Sequence, residues 1–264
     1  MRLIIFFSIS LVLILASCIT TKETVVKQVI SDIIKGKVQK TIFNDEKSDS
    51  TTCAIDYSFF APSKMVYRDS VNQKIKKHLI RFTQFGSGTI GNLPLSNSFF
   101  QTQLDSFASL CSSEEDYDED MNHLWELESV IEIEDSHEIF VQLQVTSWSY
   151  TGGAHGNGAT KTWLVDKMTA KDLLLEDVFS ELDSVTAIGE SYFRKLYELE
   201  PDANLDDAGF WFENNRFYLN NNFYIFEDTI VFLYSSYEIA PYSAGETAIE
   251  IPIEEIRNYI KIKI

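Results

Sequence analysis

Ser147-Trp148-Ser149-Tyr150-Thr151-Gly152-Gly153-Ala154-His155-Gly156-Asn157-Gly158 crowds four glycines into its last seven positions, at the end of a strongly alternating run. In that run Ile139, Val141, Leu143 and Val145 alternate with Gln142, Gln144 and Thr146, the pattern of a strand with one buried face. Glycine is favoured where φ must be positive or where another group approaches the backbone closely. A turn so rich in glycine, with Trp148 and Tyr150 before it and His155 inside it, is either an irregular bulged connection or a binding loop. Beyond it, 159–166 reads as a further strand, with Thr160, Thr162, Leu164 and Asp166 on one face and Trp163 and Val165 on the other. Before it, Trp125, Leu127, Ser129, Ile131 and Ile133 oppose Glu126, Glu128, Val130, Glu132 and Glu134. Glu134-Asp135-Ser136-His137 is a natural hairpin turn. The middle of the chain is therefore an antiparallel meander.

Outward from the meander, helices and short strands alternate irregularly. Cys53, Ile55, Tyr57 and Phe59 mark a strand that Pro62 ends. Val71, Ile75, Leu79 and Phe82 predict an amphipathic helix over 69–84, and Phe100, Leu104, Phe107 and Cys111 a second over 97–111, capped by Ser96 or Asn97. In the second half, Ser180-Glu181-Leu182-Asp183 resembles a capping box, opening a helix with a stripe of Leu182, Val185, Ile188, Tyr192, Leu196 and Leu199. Phe223–Phe226, Thr229–Tyr234 and 247–251 read as strands, with Asn220-Asn221-Asn222 and Glu227-Asp228 as turns, and a short helix starts at Pro252. The fold class expected is α+β, with mainly antiparallel sheets, helices packed on one face and two closely associated halves, 51–166 and 167–264.

The first 18 residues read as a targeting segment: Arg2, an apolar run from Leu3 to Leu15, then Leu15-Ala16-Ser17-Cys18 as a lipobox. Acyl chains on Cys18 would anchor the protein to a membrane without spanning it. Residues 19–50 are then tether and linker, and the location is the bacterial cell envelope, outside the cytoplasm. With 22 basic against 40 acidic residues the formal net charge is −18. Such a surface repels nucleic acid and attracts basic partners. An exported location permits a Cys53–Cys111 disulfide; two buried thiols are the other reading.

Several local patterns carry no chemistry. Gly86-Ser87-Gly88-Thr89-Ile90-Gly91 has dinucleotide-loop spacing but follows a helix rather than a strand. Asp116, Asp118 and Asp120 open like a calcium loop, yet Met121 and Leu127 stand where glycine and glutamate are needed. His78, His123, His137 and His155 show no zinc spacing. Neither a cofactor nor a metal is expected.

Two stretches resemble a known family. Tyr150-Thr151-Gly152-Gly153-Ala154-His155-Gly156 and Tyr237-Glu238-Ile239-Ala240-Pro241-Tyr242-Ser243-Ala244-Gly245 look like the paired envelope domains of RsiV-type anti-sigma factors and the non-catalytic region of PdaC-type peptidoglycan deacetylases. Val71-Asn72-Gln73-Lys74-Ile75 and the segment from Leu173 to Phe179 fit the same module, so the resemblance runs from about Thr51 to Ile260. It implies an α+β extracytoplasmic recognition module, PdaC-like in the first half and RsiV-like in the second, used in some members to bind lysozyme. The expected function is a non-enzymatic envelope lipoprotein that recognises a basic protein such as a muramidase, or peptidoglycan. Trp148, Tyr150, His155, Tyr237 and Tyr242 are the candidate contact residues. The alternatives are an envelope glycan or acyl hydrolase using His155, and a structural envelope component.

Overall fold

In a computed structural model, residues 28–30, 32–44, 49–85, 94–113 and 125–264 are described. The targeting segment with Cys18, the glycine pattern at 86–91 and the acidic run at 114–120 lie outside them. Strict alternation builds the first sheet. Along β4 (Glu126–Glu134), Leu127, Ser129, Ile131 and Ile133 are buried while Glu128, Glu132 and Glu134 are exposed. β1 (Gln28–Ile30), β2 (Ile33–Asn44), β3 (Asp49–Phe60), β4, β5 (Phe140–Tyr150) and β6 (Asn157–Asp166) lie in that order across six strands. Every neighbouring pair is antiparallel except β3 with β4. Parallel neighbours need a long crossover. α1 (Val66–Thr83) and α2 (Asn97–Ser113) lie between them in the chain.

The helices cover one sheet face. Val71, Ile75 and Leu79 of α1 and Phe100, Leu104 and Phe107 of α2 are fully buried against Ile55, Leu143 and Val145. Each aliphatic side chain among them contributes about 2 kcal/mol by leaving water. Ser96 Oγ accepts from Phe99 N at 3.3 Å, making Ser96 the α2 cap. Cys53 and Cys111 are thiols rather than a disulfide. The Cys53 thiol donates to Trp125 O at 3.6 Å, and burial pushes its pKa up to about 11. It stays protonated and unreactive at neutral pH.

One expected boundary moves. Within the stretch expected as tether and linker, residues 33–44 form strand β2, paired with β3 along its whole length. Gly36 lies opposite Tyr57, whose ring fills the space a side chain would take; a Cβ there would stand 2.4 Å from Tyr57 Oη. Tyr57 cannot retreat, because it stacks on Phe100 at 4.1 Å and its hydroxyl donates to Asn97 Oδ1 at 3.0 Å. Gly36→Ala is expected to cost about 2 kcal/mol through overpacking, read by urea denaturation. A loss below 0.5 kcal/mol would show that Tyr57 moves freely.

The second half forms the antiparallel sheet β7 (Phe223–Phe226), β8 (Thr229–Tyr234) and β9 (Thr247–Pro252). Short helix α3 (Leu175–Val178) precedes helix α4 (Leu182–Leu196), and α5 (Ile253–Ile256) follows the sheet. Most of the expected stripe of α4 faces the core: Val185 is fully buried and Leu182, Ile188, Tyr192 and Leu199 pack against it, but Leu196 is exposed, and the buried line is completed by Gly189 and Phe193. Gly189 lets Leu219 approach, since a Cβ there would meet Leu219 Cδ2 at 2.8 Å. The expected capping box is absent too: Ser180 Oγ donates to Tyr259 O at 3.1 Å.

Buried polar side chains join the two halves where β6 would otherwise be an open edge. Asn222 Oδ1 accepts from Thr162 N at 2.8 Å, and Asn222 Nδ2 donates to Thr160 O at 2.8 Å. Gln142 accepts from Ile225 N at 2.8 Å and donates to Ile225 O at 3.2 Å, imitating a strand partner. Leu173 N donates to Leu164 O at 2.8 Å. An edge covered this way cannot pair with another chain.

Candidate functional site

The ends of β5 and β6 beyond this junction carry the glycine-rich loop. Gly152 and Gly153 hold φ of +94° and +91°, a region that side-chain-bearing residues rarely adopt. Tyr150 Oη closes the loop by donating to Gly153 O at 2.9 Å. Gly156 and Gly158 serve a different purpose. Trp148 lies opposite Gly158 across the strands, and its indole rests on both glycines: a Cβ on Gly156 would stand 2.4 Å from its Cζ2. Trp148 is still 36% exposed. Gly156→Ala is expected to lift the indole into water, red-shifting its emission and costing about 1 kcal/mol. An unchanged spectrum would place Trp148 elsewhere.

His155 is exposed at the loop tip. Its Nδ1 lies 2.9 Å from Gly156 O. A carbonyl only accepts, so Nδ1 carries the proton and Nε2 of the neutral ring is an acceptor. Tyr237 Oη, 3.3 Å away, then donates to Nε2. The ring also stacks on Tyr242 with centroids 3.7 Å apart and planes 13° from parallel. Tyr237 completes the group, its ring 5.6 Å from that of Tyr242. Tyr237 is 52% exposed and has φ of +68°. A bulky residue held there is strained by roughly 1–3 kcal/mol, and such strain gathers at functional sites.

The fold brings together the two motifs that sequence reading singled out separately. Glu246 Oε1 accepts from Thr160 N at 2.8 Å, pinning the end of the 237–245 connection to β6. Pattern and motif in the sequence do not single out Glu246, nor Trp211, which is 51% exposed and whose backbone N–H donates to Ile239 O at 2.8 Å. An exposed tryptophan between Phe210 and Phe212 was the available signal. Cys53 is not in this cluster; it lies beside Trp125 in the first core.

The described residues around His155 offer no hydrogen-bonded carboxylate and no serine or cysteine nucleophile, only Gly156 O and Tyr237 Oη. His78 Nε2 does lie 3.1 Å from Ser147 Oγ, which lies 2.9 Å from Ser129 Oγ. Both serines are 1% exposed, so this pair is a core contact that a substrate cannot reach. A concavity of about 420 Å³ on the outer side of α4 is lined by Glu190, Ser191, Arg194 and Pro201. Arg194 is already engaged by Glu190 and by the carbonyls of Glu200 and Ala203. Among the described residues no group of three or more His, Cys, Asp or Glu could hold a metal ion, and no helix is long and apolar enough to cross a membrane.

The chain is thus an α+β protein of two joined units presenting an exposed aromatic and histidine cluster. Residues 171–254 match the model of DUF3298, a protein family of unknown function. The chain is similar in fold to a crystal structure of a DUF3298 family member from Bacteroides fragilis NCTC 9343, with TM-score 0.66 and 19% identity over 91% of this chain and 96% of that one. A DUF3298 family protein from Pseudomonas aeruginosa PAO1 gives TM-score 0.58 and 17% identity, covering 87% and 94% of the two chains. No curated protein matches the sequence.

Proposed function

We propose that the protein is a non-enzymatic recognition module of the bacterial cell envelope, anchored through Cys18 and related to the RsiV- and PdaC-type modules. Its partner is a basic protein of the muramidase kind or a peptidoglycan component. One observation carries this reading: two segments far apart in sequence converge on an exposed, pre-stacked His155–Tyr242–Tyr237 group with no nucleophile or carboxylate hydrogen-bonded to the histidine among the described residues. Rigid exposed aromatics are effective binding anchors because they bury much area at little entropic cost. The net charge of −18 favours a basic partner and makes association weaken as salt rises.

The test is calorimetry of the full-length protein against a panel of basic muramidases and soluble peptidoglycan fragments. The expected result is binding to a panel member that falls at least about tenfold, or about 1.4 kcal/mol, in His155→Ala and Tyr242→Ala variants with unchanged circular dichroism. Binding that survives both substitutions, or no binding by the parent protein, would remove the reading.

A further inference from the structure

The sheet face opposite α1 and α2 is only partly covered. Where the second half packs, Gln142, Thr162 and Leu164 are buried. Further along the same face, Glu128, Glu132, Thr146 and Trp148 are exposed, and among the described residues nothing lies over them. The register sets Glu128 directly opposite Trp148 and Glu126 opposite Tyr150, so a row of carboxylates runs beside two aromatic side chains. Glu126 and Glu128 are about 7 Å apart along the strand, within a Debye length. None of Glu126, Glu128 and Glu132 has an ion-pair partner among the described residues. The neighbouring Asp56, by contrast, is neutralised by Lys37 at 3.0 Å.

A row of uncompensated like charges beside an exposed indole fits one occupant. We propose that this uncovered face docks a lysine- or arginine-rich surface of a protein partner, with cationic side chains between Glu126, Glu128 and Glu132 and one laid on the Trp148 ring. This rests on the recognition reading and adds to it a second contact surface. Tryptophan is the aromatic that holds a cation best, and flanking carboxylates strengthen the contact. The surface meets the aromatic cluster at Trp148, which rests on the glycine adjoining His155.

The probe is a deca-arginine peptide titrated into the full-length protein at low and high salt. The expected result is binding that drops at least about tenfold in the Glu126→Gln, Glu128→Gln, Glu132→Gln triple variant and at least about threefold in Trp148→Ala. A control triple variant, Glu198→Gln, Asp202→Asn, Asp206→Asn, removes the same charge from exposed positions of the second half and should retain most of the affinity. The sheet-face triple variant should melt at or above the parent temperature, because like charges have been removed. Equal losses in both triple variants, or no peptide binding by the parent, would overturn the proposal. So would tight binding of a neutral chitin-type oligosaccharide that the sheet-face substitutions leave unchanged. Loss of panel binding in His155→Ala and Tyr242→Ala, with the sheet-face variant unaffected, would keep the recognition reading while removing this surface; the converse result would do the reverse.

Discussion

Asn222→Ala is expected to destabilise the protein by about 4 kcal/mol, a large share of the 5–15 kcal/mol that holds most domains folded. Asn222 is 5% exposed, and its amide does the work of a missing strand at the β6 edge. It accepts from Thr162 N at 2.8 Å and donates to Thr160 O at 2.8 Å. Thr160 and Thr162 are 7% and 1% exposed, so water cannot replace the lost partner. Each buried backbone group left unpaired costs about 1–3 kcal/mol. The neighbouring contacts are better insured: Leu233 O keeps the Asn220 amide at 2.7 Å, and Thr162 Oγ1 keeps Phe223 O at 2.8 Å. Asn222→Asp tests the donor side alone, since it retains the acceptor and sets a carboxylate against Thr160 O. Urea denaturation of the three proteins should place Asn222→Ala and Asn222→Asp well below the parent. A loss under 1 kcal/mol in both would mean that the two halves are not held at this edge.

His78 should make the fold sensitive to mild acid. Its ring is enclosed between Phe82, stacked at 6.1 Å, and Trp163, edge-on at 6.1 Å. Burial first, then the positive charges of Arg81 and Lys161, pull its pKa down to about 4 from 6.5. The unfolded chain therefore takes up this proton before the folded one does. The stability contribution is complete above pH 6.5 and is lost as pH falls from 6.5 to 4, amounting to about 3 kcal/mol at the lower end. Between pH 6.5 and 5 most carboxylates remain ionised, so the difference between parent and His78→Gln in that window isolates the histidine. The parent should lose stability there at up to about 1.4 kcal/mol per pH unit more steeply than the variant. Parallel profiles would show that His78 reaches water.

The meander was legible because one face of it is buried and the other wet, so the period of two survives in the residues themselves. β2 was not. Its inward positions include Gly36, whose space Tyr57 fills, and Lys40, which reaches Asp105 at 2.6 Å. With two apolar places taken by a glycine and a lysine, the alternation vanishes from the sequence. α4 misled for a related reason. Gly189 lies at the centre of its buried line and registers as no hydrophobe, so a stripe read from the apolar residues runs through Leu196 instead of Phe193. Both aromatic loops stood out by composition. That His155 stacks on Tyr242 rests on the β6 edge, on Asn222 and Glu246, whose roles depend on partners 60 and 86 residues away.

The central claim is that the two loops act as one recognition surface, and a double-mutant cycle tests it most directly. Affinity for whichever panel partner binds would be measured for the parent, His155→Ala, Tyr242→Ala and the double variant. Residues that work as one stacked pair lose most of their effect with the first substitution, so the double variant should be little worse than either single one. The coupling energy should then be about 1 kcal/mol or more. Fully additive losses, or affinities that none of the substitutions changes, would contradict the account.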